Sequence, residues 1–319
     1  MNVKPKLYIL IGLPASGKST TAERLRVEED AIVHSSDALR EELFGDRDIQ
    51  DKNQELFKEL HRRIKKDLIE GKNVVYDATN ISNKRRISLG NEFKSVNYEK
   101  IAIFVATPYK VCVERNSKRA NPVPEHVLRR MYLNFDVPLL CENWDKVIIE
   151  KNSNEISLSL DELEEMNYLS HDNPHHSLTV GEHMKKATDW MHERIVFEMY
   201  EDGAHERHKS LLIAISLHDI GKKFTKSFVN SKGEITDIAH YYNHENVSAY
   251  EAILYLLEYA PWNIEEQMDD VLYIAQLIRF HMRPYYATSE KAVRRFVNLV
   301  GQEFYDALLT LNTADRQAH

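Results

Sequence analysis

"LYILIGLPASGKSTTAERLR", residues 7–26, is the stretch on which the fold turns. It joins an apolar run, Leu7–Leu13, to a glycine-rich turn and then to helix formers. Unbroken apolar character is what a strand buried on both faces of a parallel sheet requires. Gly12 to Ser19 satisfy G-x-x-x-x-G-K-[ST] in full. In that arrangement the glycines let backbone N–H groups turn inward around a phosphate chain. Lys18 reaches the β- and γ-phosphates, and the Ser19 hydroxyl ligates Mg²⁺. The helix expected from about Lys18 adds its positive N-terminal end. Gly12, Pro14, Ala15, Ser16, Gly17, Lys18, Ser19 and Thr20 therefore form the expected nucleotide cradle, with ATP and Mg²⁺ as cofactors. The plain alternative is a glycine turn at a strand–helix junction.

Outward from this stretch, β-rich runs alternate with helical ones. Residues 6–13, 31–36, 73–79, 100–107 and 146–150 read as strands, and 18–27, 51–70, 83–95, 108–119 and 124–137 as helices. Such a βαβ series predicts a doubly wound parallel α/β domain over residues 1–152. After Glu150 the pattern changes. Residues 153–170 are polar with no strand period and read as a connector holding one short helix. From Thr179 onward helical spacing dominates, with no convincing strand, so 171–319 is expected to be an all-α domain.

The two parts also differ in charge. Residues 1–150 carry a balance of +3 and the remainder −11, together the chain's −8. Twelve of the 15 histidines lie at or beyond position 171. Two halves of different electrostatics suggest two chemistries. With 43% apolar and 29% charged residues the composition is that of a soluble globular protein. No apolar run approaches the roughly 20 residues of a membrane span. The charged opening MNVKPK does not read as a signal peptide. Cys112 and Cys141 lie in no ligand spacing, so reduced thiols and a cytoplasmic location are expected.

The acceptor side of the α/β domain carries further chemistry. Asp37 and Arg40 follow the second strand, at the carboxyl edge where ligands of such folds sit. Three apart on a starting helix, they share a face. Asp37 reads either as a helix N-cap or as the group that accepts the proton of an attacking hydroxyl. Asp77 ends a buried strand, as a Mg²⁺-supporting group or as a cap of the next helix. "ERNSKRANPVPEHVLRRMY", residues 114–132, clusters Arg115, Lys118, Arg119, Arg129 and Arg130 around a proline-marked break. That is either a solvated basic face or a mobile lid that stabilises charge during phosphoryl transfer.

The GxPxSGKST loop, the Asp37-x-x-Arg40 pair, "NVVYDATN" (73–80) and the 114–132 stretch resemble the polynucleotide 5′-hydroxyl kinase family of phage nucleic-acid end-healing enzymes. The resemblance covers roughly residues 5–150. It implies Asp37 as general base, Arg40 as an acceptor-phosphate contact, and Arg119 and Arg129 as lid arginines. One departure is plain. Phage enzymes of this kind carry a phosphatase domain with a DxDxT nucleophile motif, and none is present here.

In place of that motif the second half carries a set of histidines. "ISLHDIGKKFTK", residues 215–226, ends an apolar helical run in His218-Asp219. The pair alone is an ordinary polar helix end. With His183, His244, His281 and Asp315 it becomes H…HD…H…H…D across five helical segments. Imidazole and carboxylate donors suit Mn, Fe, Co, Ni or Zn, and six such groups can hold two ions with an aspartate between them. Ions so held activate water for attack on phosphorus. The pattern resembles the HD-domain metal-dependent phosphohydrolases over roughly 170–319, in particular the HD domains attached to bacterial tRNA nucleotidyltransferases. By that resemblance His183, His218, Asp219 and Asp315 are ligands of a first site, and His244 and His281 complete a second. His175, His176, Lys222 and Lys223 would contact substrate phosphate. His171, His192, His205 and His208 read as surface residues. Adjacent ligands 218 and 219 are expected to converge where the backbone turns at Gly221.

Taken together, the residues and the two resemblances point to a bifunctional enzyme acting on RNA or DNA ends. One activity would be an ATP-dependent 5′-kinase. The other would be a phosphoesterase for 2′,3′-cyclic or 3′-phosphate ends, the whole being coupled to a ligase. The rival readings are a nucleoside or sugar kinase fused to a nucleotidase, and a nucleotide- and metal-sensing regulator.

Overall fold

The computed structural model describes residues 4–46, 49, 51–174, 177–202, 205–260 and 267–318. It divides into two compact units: Met1–Leu128 with Glu142–Glu155, and Arg129–Cys141 with Ile156–His319.

The first unit is built on a five-stranded sheet of order β2-β3-β1-β4-β5. The strands are β1 (Lys6–Ile11), β2 (Ile32–Ser35), β3 (Val74–Asp77), β4 (Glu99–Ala106) and β5 (Lys146–Lys151), and every pairing is parallel. Leu7, Ile9, Leu10 and Ile11 of the central strand are fully buried, as its apolar run predicts. Helices α1 (Lys18–Glu28), α2 (Ser36–Phe44), α3 (Asn53–Ile69), α4 (Asn83–Glu92) and α5 (Tyr109–Ser117) come in chain order. On one face Tyr8, Leu10, Ile101, Ile103 and Val105 pack against Ala22 and Leu25 of α1. Strand order departs from chain order on either side of β1, so the carboxyl ends of β1, β3 and β4 open at a switch point.

One buried ion pair ties this unit together at depth. The Arg86 guanidinium meets the Glu142 carboxylate in fork fashion at 2.6 and 2.7 Å and also donates to the Asn80 carbonyl at 2.7 Å. Neither side chain of the pair is more than 1% exposed. Removing one member strands the other charge in a dry interior, which typically costs about 3–5 kcal/mol. Glu142→Ala should therefore lower the unfolding free energy of the first unit by that amount in a denaturant titration. A shift under about 1 kcal/mol, the range of surface pairs, would mean that water reaches Arg86.

The boundary between units falls inside helix α6 (Glu125–Leu133). The helix expected to reach 137 stops at Leu133. Its continuation is instead held by polar contacts within the second unit. The Tyr132 and Ser157 hydroxyls both donate to buried Glu251 at 2.5 Å, Arg279 donates to Asp136 at 2.8 Å, and Asn246 donates to the Phe135 carbonyl at 3.2 Å. Tyr132 and Phe135 set their rings edge-on against Tyr250.

The second unit packs α8 (Val180–Asp202), α9 (His205–Leu217), α11 (His244–Tyr259), α12 (Met268–Phe280) and α15 (Gln302–Gln317), with shorter helices α7 (Leu160–Glu165), α10 (Lys222–Thr225), α13 (Arg283–Tyr286) and α14 (Glu290–Val300) around them. Helix α7 lies in the expected connector, opened by a Ser159–Glu162 capping box. Helix α11 is buried on nearly every side, because α10, α12 and the 129–141 segment pack against it. One expectation fails. The unit is not wholly helical: β6 (Ser227–Val229) and β7 (Ile235–His240) form an antiparallel hairpin around Gly233 at φ +84°. Their apolar residues are partly exposed and give no continuous buried run, so the strand signal is weak. Among the described residues no helix is long and apolar enough to cross a membrane.

Candidate active sites

In the first unit the cradle closes as its motif predicts. Gly17 sits at φ +106° and caps α1, and Ala15 also takes the left-handed region at +62°. A Cβ on Gly17 would lie 2.7 Å from the Asn152 side chain, so both conformation and space demand glycine. Asn152 is itself gripped by Arg115, through its side-chain and main-chain oxygens, at 2.9 Å each. The buried Thr107 hydroxyl, just past β4, donates to the Ser16 carbonyl at 2.8 Å. The loop is thus braced from β4 and β5. Pro14 is buried within it, and Ser19 and Thr20 are exposed on the first turn of α1.

Lys18 folds back over the loop, its ammonium donating to the Leu13 and Gly12 carbonyls at 2.7 and 3.1 Å. Burial pushes its pKa down to about 8, against the attraction of the Asp77 and Asp37 carboxylates, while Arg119 pushes the same way as burial. The Asp77 carboxyl is raised by burial, opposed by Lys18. The charges of Asp77, Asp37 and Arg119 thus all reach Lys18, and that of Asp37 reaches Asp77. Asp37 is not the cap of α2. Ser35 is, accepting from the Ala38 N–H, and Asp37 lies exposed in the first turn. Asp77 is not a cap either, since α4 begins after Ser82. Arg40 is buried and donates to Asp37 at 3.1 Å and to Asn53 at 3.0 Å. Arg129 belongs to the second unit, where its guanidinium donates to the Phe224 carbonyl at 3.2 Å.

A depressed Lys18 has a measurable consequence. Only its cationic form attracts phosphate. Above pH ~8 the free protein loses that proton, so nucleotide binding must recover it. Affinity for an adenine nucleotide should fall as pH rises past about 8. Calorimetric titration near pH 9 in buffers of different ionisation enthalpy should show uptake of about one proton, absent in Lys18→Ala. Equal uptake by the variant would assign the proton elsewhere.

In the second unit the structure gathers all six expected ligands into two buried groups, His183–His218–Asp315 and Asp219–His244–His281. Within each group the donor atoms lie within 4.8 Å of one another. His183 Nε2 is 3.3 Å from His218 Nε2 and 3.0 Å from Asp315 Oδ1. His244 Nε2 and His281 Nε2 are 3.1 Å apart. Asp219 bridges the groups. Its Oδ2 lies 3.3 Å from His218 Nε2 and its Oδ1 3.3 Å from His244 Nε2.

The surrounding carbonyls decide which ring nitrogen faces inward. His218, His244 and His281 each donate Nδ1–H to the carbonyl three residues earlier, Ile215, Tyr241 and Ile278, at 2.6–2.8 Å. Nε2 is then left as the inward lone pair, the tautomer that suits a metal ligand. Tyr285 donates to the outer oxygen of Asp315 at 2.9 Å. Paired Nε2 lone pairs at about 3 Å repel unless a proton or a cation lies between them. Burial disfavours a charged His218, yet Asp219 and Asp315 overcome it and raise the imidazole to about 10. Burial, with His244 and His218 nearby, takes His281 down to about 3. Asp219 Oδ1 is a buried carboxylate oxygen with no hydrogen-bond donor. Inward lone pairs, buried carboxylates and an undonated oxygen together match the donor set of a divalent transition ion.

One expectation about this region changes. His171 is not a surface residue. It is 1% exposed, accepts from Lys222 Nζ at 3.2 Å, and is held by burial and that cation down to about 4. Lys222 also meets Asp219 Oδ2 at 2.7 Å. The backbone turns over residues 218–221 as expected, with Gly221 at φ −63°. Glycine is needed because a Cβ there would lie 2.3 Å from the His244 carbonyl, so α11 could not approach. Lys223 pairs with Glu162 at 3.3 Å, and His192 is exposed as expected. His175, His176 and the side chain of His205 lie outside the described residues.

Comparison with known proteins bears on the first unit. Residues 7–138 match a family model described as an AAA domain. The L-seryl-tRNA(Sec) kinase of Methanococcus maripaludis is 30% identical over 145 residues, 44% of this chain and 56% of that protein. Protein kti12 of Schizosaccharomyces pombe is 26% identical over 172 residues, 49% of this chain and 60% of that one. The chain thus spans a little over half the length of these relatives. A solved structure titled "Structure of the Pnkp1/Rnl/Hen1 RNA repair complex" aligns at TM-score 0.39 and 23% identity, over 42% of this chain and 45% of that one. The family match covers the same residues as the parallel sheet and the closed P-loop cradle.

Proposed function

We propose that the chain is a bifunctional nucleic-acid end-healing enzyme: an ATP-dependent 5′-hydroxyl kinase in the first unit and a metal-dependent phosphoesterase for 2′,3′-cyclic or 3′-phosphate ends in the second. The observation that carries the reading is that one chain holds both a P-loop cradle with an acceptor-side carboxylate and six buried ligand groups with their nitrogens turned inward.

In the kinase, the cradle and Lys18 would hold the β- and γ-phosphates, and Ser19, supported by Asp77, would hold Mg²⁺. Asp37 takes the proton of the attacking 5′-hydroxyl as its oxygen bonds to the γ-phosphorus and the bond to ADP breaks. Buried Arg40 orients Asp37 through their 3.1 Å contact and, in this reading, contacts the acceptor's phosphate. Arg119, whose charge already reaches Lys18, balances charge on the transferring group, and Arg129 is the second lid arginine of this reading.

In the esterase, His183, His218, Asp219 and Asp315 would hold one ion, and His244 and His281 would help to hold a second. Ions of the Mn, Fe, Co, Ni or Zn class supply Lewis acidity and lower the pKa of water. The chain's own residues fix ring orientation through the Ile215, Tyr241 and Ile278 carbonyls, and Lys222, anchored by Asp219 and His171, faces the incoming phosphate. Transfer yields a 5′-phosphate, and one hydrolysis of a 3′-phosphate, or two successive hydrolyses of a 2′,3′-cyclic end, yields a 3′-hydroxyl; these are the ends that a ligase joins, so a ligase is the expected functional partner.

The test is one assay panel on the purified chain. A 5′-hydroxyl oligonucleotide, a nucleoside and sugar mixture, and an oligonucleotide ending in a 2′,3′-cyclic phosphate are offered with ATP, Mg²⁺ and Mn²⁺. Transfer to the oligonucleotide with opening of the cyclic end is expected. Transfer to small molecules alone would give the first unit to nucleoside or sugar chemistry, the reading its modest +3 balance favours. Binding of nucleotide without turnover on any acceptor would make the chain a sensor.

A further inference from the structure

Lys222 is an unusual neighbour for a group of metal ligands. It is buried, and its ammonium lies 2.7 Å from Asp219 Oδ2, the oxygen that is also 3.3 Å from His218 Nε2. An ion bound by Asp219 repels a cation in that place and competes with it for the carboxylate. The lysine therefore needs a second anchor. Among the described residues that anchor is His171 Nε2, 3.2 Å from Lys222 Nζ. The Tyr241 ring also faces the ammonium, 5.6 Å from its centroid. An ammonium has three N–H donors. Asp219 and His171 take two, which leaves the third for an incoming acceptor.

His171 is firmly braced. Its Nδ1–H donates to the Leu178 carbonyl at 2.7 Å, so Nε2 carries the lone pair that Lys222 meets. The Tyr241 hydroxyl donates to its main-chain carbonyl at 2.7 Å. Lys226 holds the residues on either side, the Ser170 carbonyl at 2.5 Å and the Asp172 carboxylate at 2.7 Å. The Ala239 N–H of β7 donates to the Asp172 carbonyl at 2.8 Å, so the hairpin backs this segment. Asp172 lies at φ +44°, a left-handed conformation that aspartate tolerates better than most residues. The residue type matters as much as the place. A carboxylate at 171 would pair with Lys222 and cancel its charge, whereas a neutral imidazole accepts the hydrogen bond and leaves the charge intact. Two carboxylates among the six ligands balance one divalent ion. Lys222 then adds a positive charge that an anionic guest offsets.

We propose that His171 is a positioning residue of the second unit: its Nε2 holds the Lys222 ammonium beside Asp219 without neutralising it, so that the third N–H and the full charge of Lys222 serve a phosphate oxygen of the substrate. This rests on the phosphoesterase reading for the identity of the guest. His171 acts through Lys222 and touches neither the ions nor the substrate.

The isosteric pair His171→Gln and His171→Glu tests this, because each puts an oxygen where Nε2 stands and only one brings charge. The probe is inorganic phosphate, titrated calorimetrically into Mn²⁺-loaded full-length protein. All proteins carry Lys18→Ala, which removes the phosphate-binding cation of the first unit. His171→Gln should bind phosphate nearly as wild type at 171 does. His171→Glu should melt no lower than His171→Gln yet bind phosphate about tenfold more weakly or worse, as Lys222→Met should, since a charge-assisted contact is lost. A merely structural role would be filled equally by both. His171→Leu should also weaken phosphate, and adding it to Lys222→Met should cost nothing further, because its effect passes through the lysine. Mn²⁺ affinity should stay near wild type in His171→Gln and His171→Leu. For a 3′-phosphorylated oligonucleotide, KM should rise in His171→Glu and recover in His171→Gln. Phosphate binding by His171→Glu equal to wild type, or a fully additive double variant, overturns the proposal, and loss of Mn²⁺ from His171→Leu would make His171 part of the metal site instead. If the protein hydrolyses no phosphoester, the esterase reading falls, and the phosphate titration still decides the role of His171. If His171→Leu fails to fold, the Gln and Glu pair decides alone.

Discussion

Asp219→Ala should release metal from both ligand groups and bring phosphoester hydrolysis below detection, while 5′-kinase turnover stays within about twofold of wild type. The large effect comes from position. Asp219 places one oxygen near His218 and the other near His244, so its loss opens both groups at once. The variant also strands charge. Lys222, 2.7 Å from Asp219, and His218, which Asp219 helps to keep protonated, would lose a buried partner. The second unit should therefore melt earlier than wild type even when both are metal-free. Asp219→Asn, nearly isosteric, should restore part of that stability but not the metal, because a neutral amide is a poor bridging ligand. Elemental analysis of the purified proteins, scanning calorimetry, and release of phosphate from a 3′-phosphorylated oligonucleotide are the measurements. Full metal content and normal hydrolysis in Asp219→Ala would remove Asp219 from the site.

The mirror experiment is Lys18→Ala. Phosphate transfer to a 5′-hydroxyl oligonucleotide should fall by about a thousandfold or more, as loss of a cation at developing charge does, and metal-dependent hydrolysis should persist. Lys18 serves twice. Before substrate it spans the Gly12 and Leu13 carbonyls and so holds the loop's shape. With substrate it is the cation on the phosphates where charge develops. Lys18→Arg should not rescue turnover, since the planar guanidinium cannot enter a cavity shaped for an ammonium. Asp37→Ala should match the loss in turnover while leaving nucleotide affinity near wild type, because the proposed role of Asp37 is toward the acceptor and not in the cradle. Transfer of radiolabelled phosphate from ATP reads all three, and near-normal transfer by Asp37→Ala would disqualify it as the base.

Much of this protein was legible in its sequence wherever the physics is local. The five strands of the first unit, the helix starting at Lys18 and the backbone shape at Gly17 depend on neighbours in the chain, and each lies where apolar runs and turn residues put it. The six ligand candidates were legible for another reason. Buried imidazoles and carboxylates are unusual residue types, and their spacing matched a known pattern, so their identity did not depend on knowing the contacts.

What only the tertiary structure decided is who meets whom. That Asp219 bridges, that His218 joins His183 while His244 joins His281, and that three carbonyls set the tautomers are contacts between helices far apart in the chain. His171 looked like a surface residue because its sequence neighbours are polar. It is buried because Lys222 and Tyr241, 51 and 70 residues later, close over it. Arg129 lies in a stretch that reads as continuous with the kinase, yet segment 129–141 belongs to the second unit, because Glu251, Asn246 and Arg279 satisfy its polar groups there. Local propensity settles the shape of a segment. It cannot settle which distant surface will bury that segment, because the burial energy belongs to both partners and only one of them is in view along the chain.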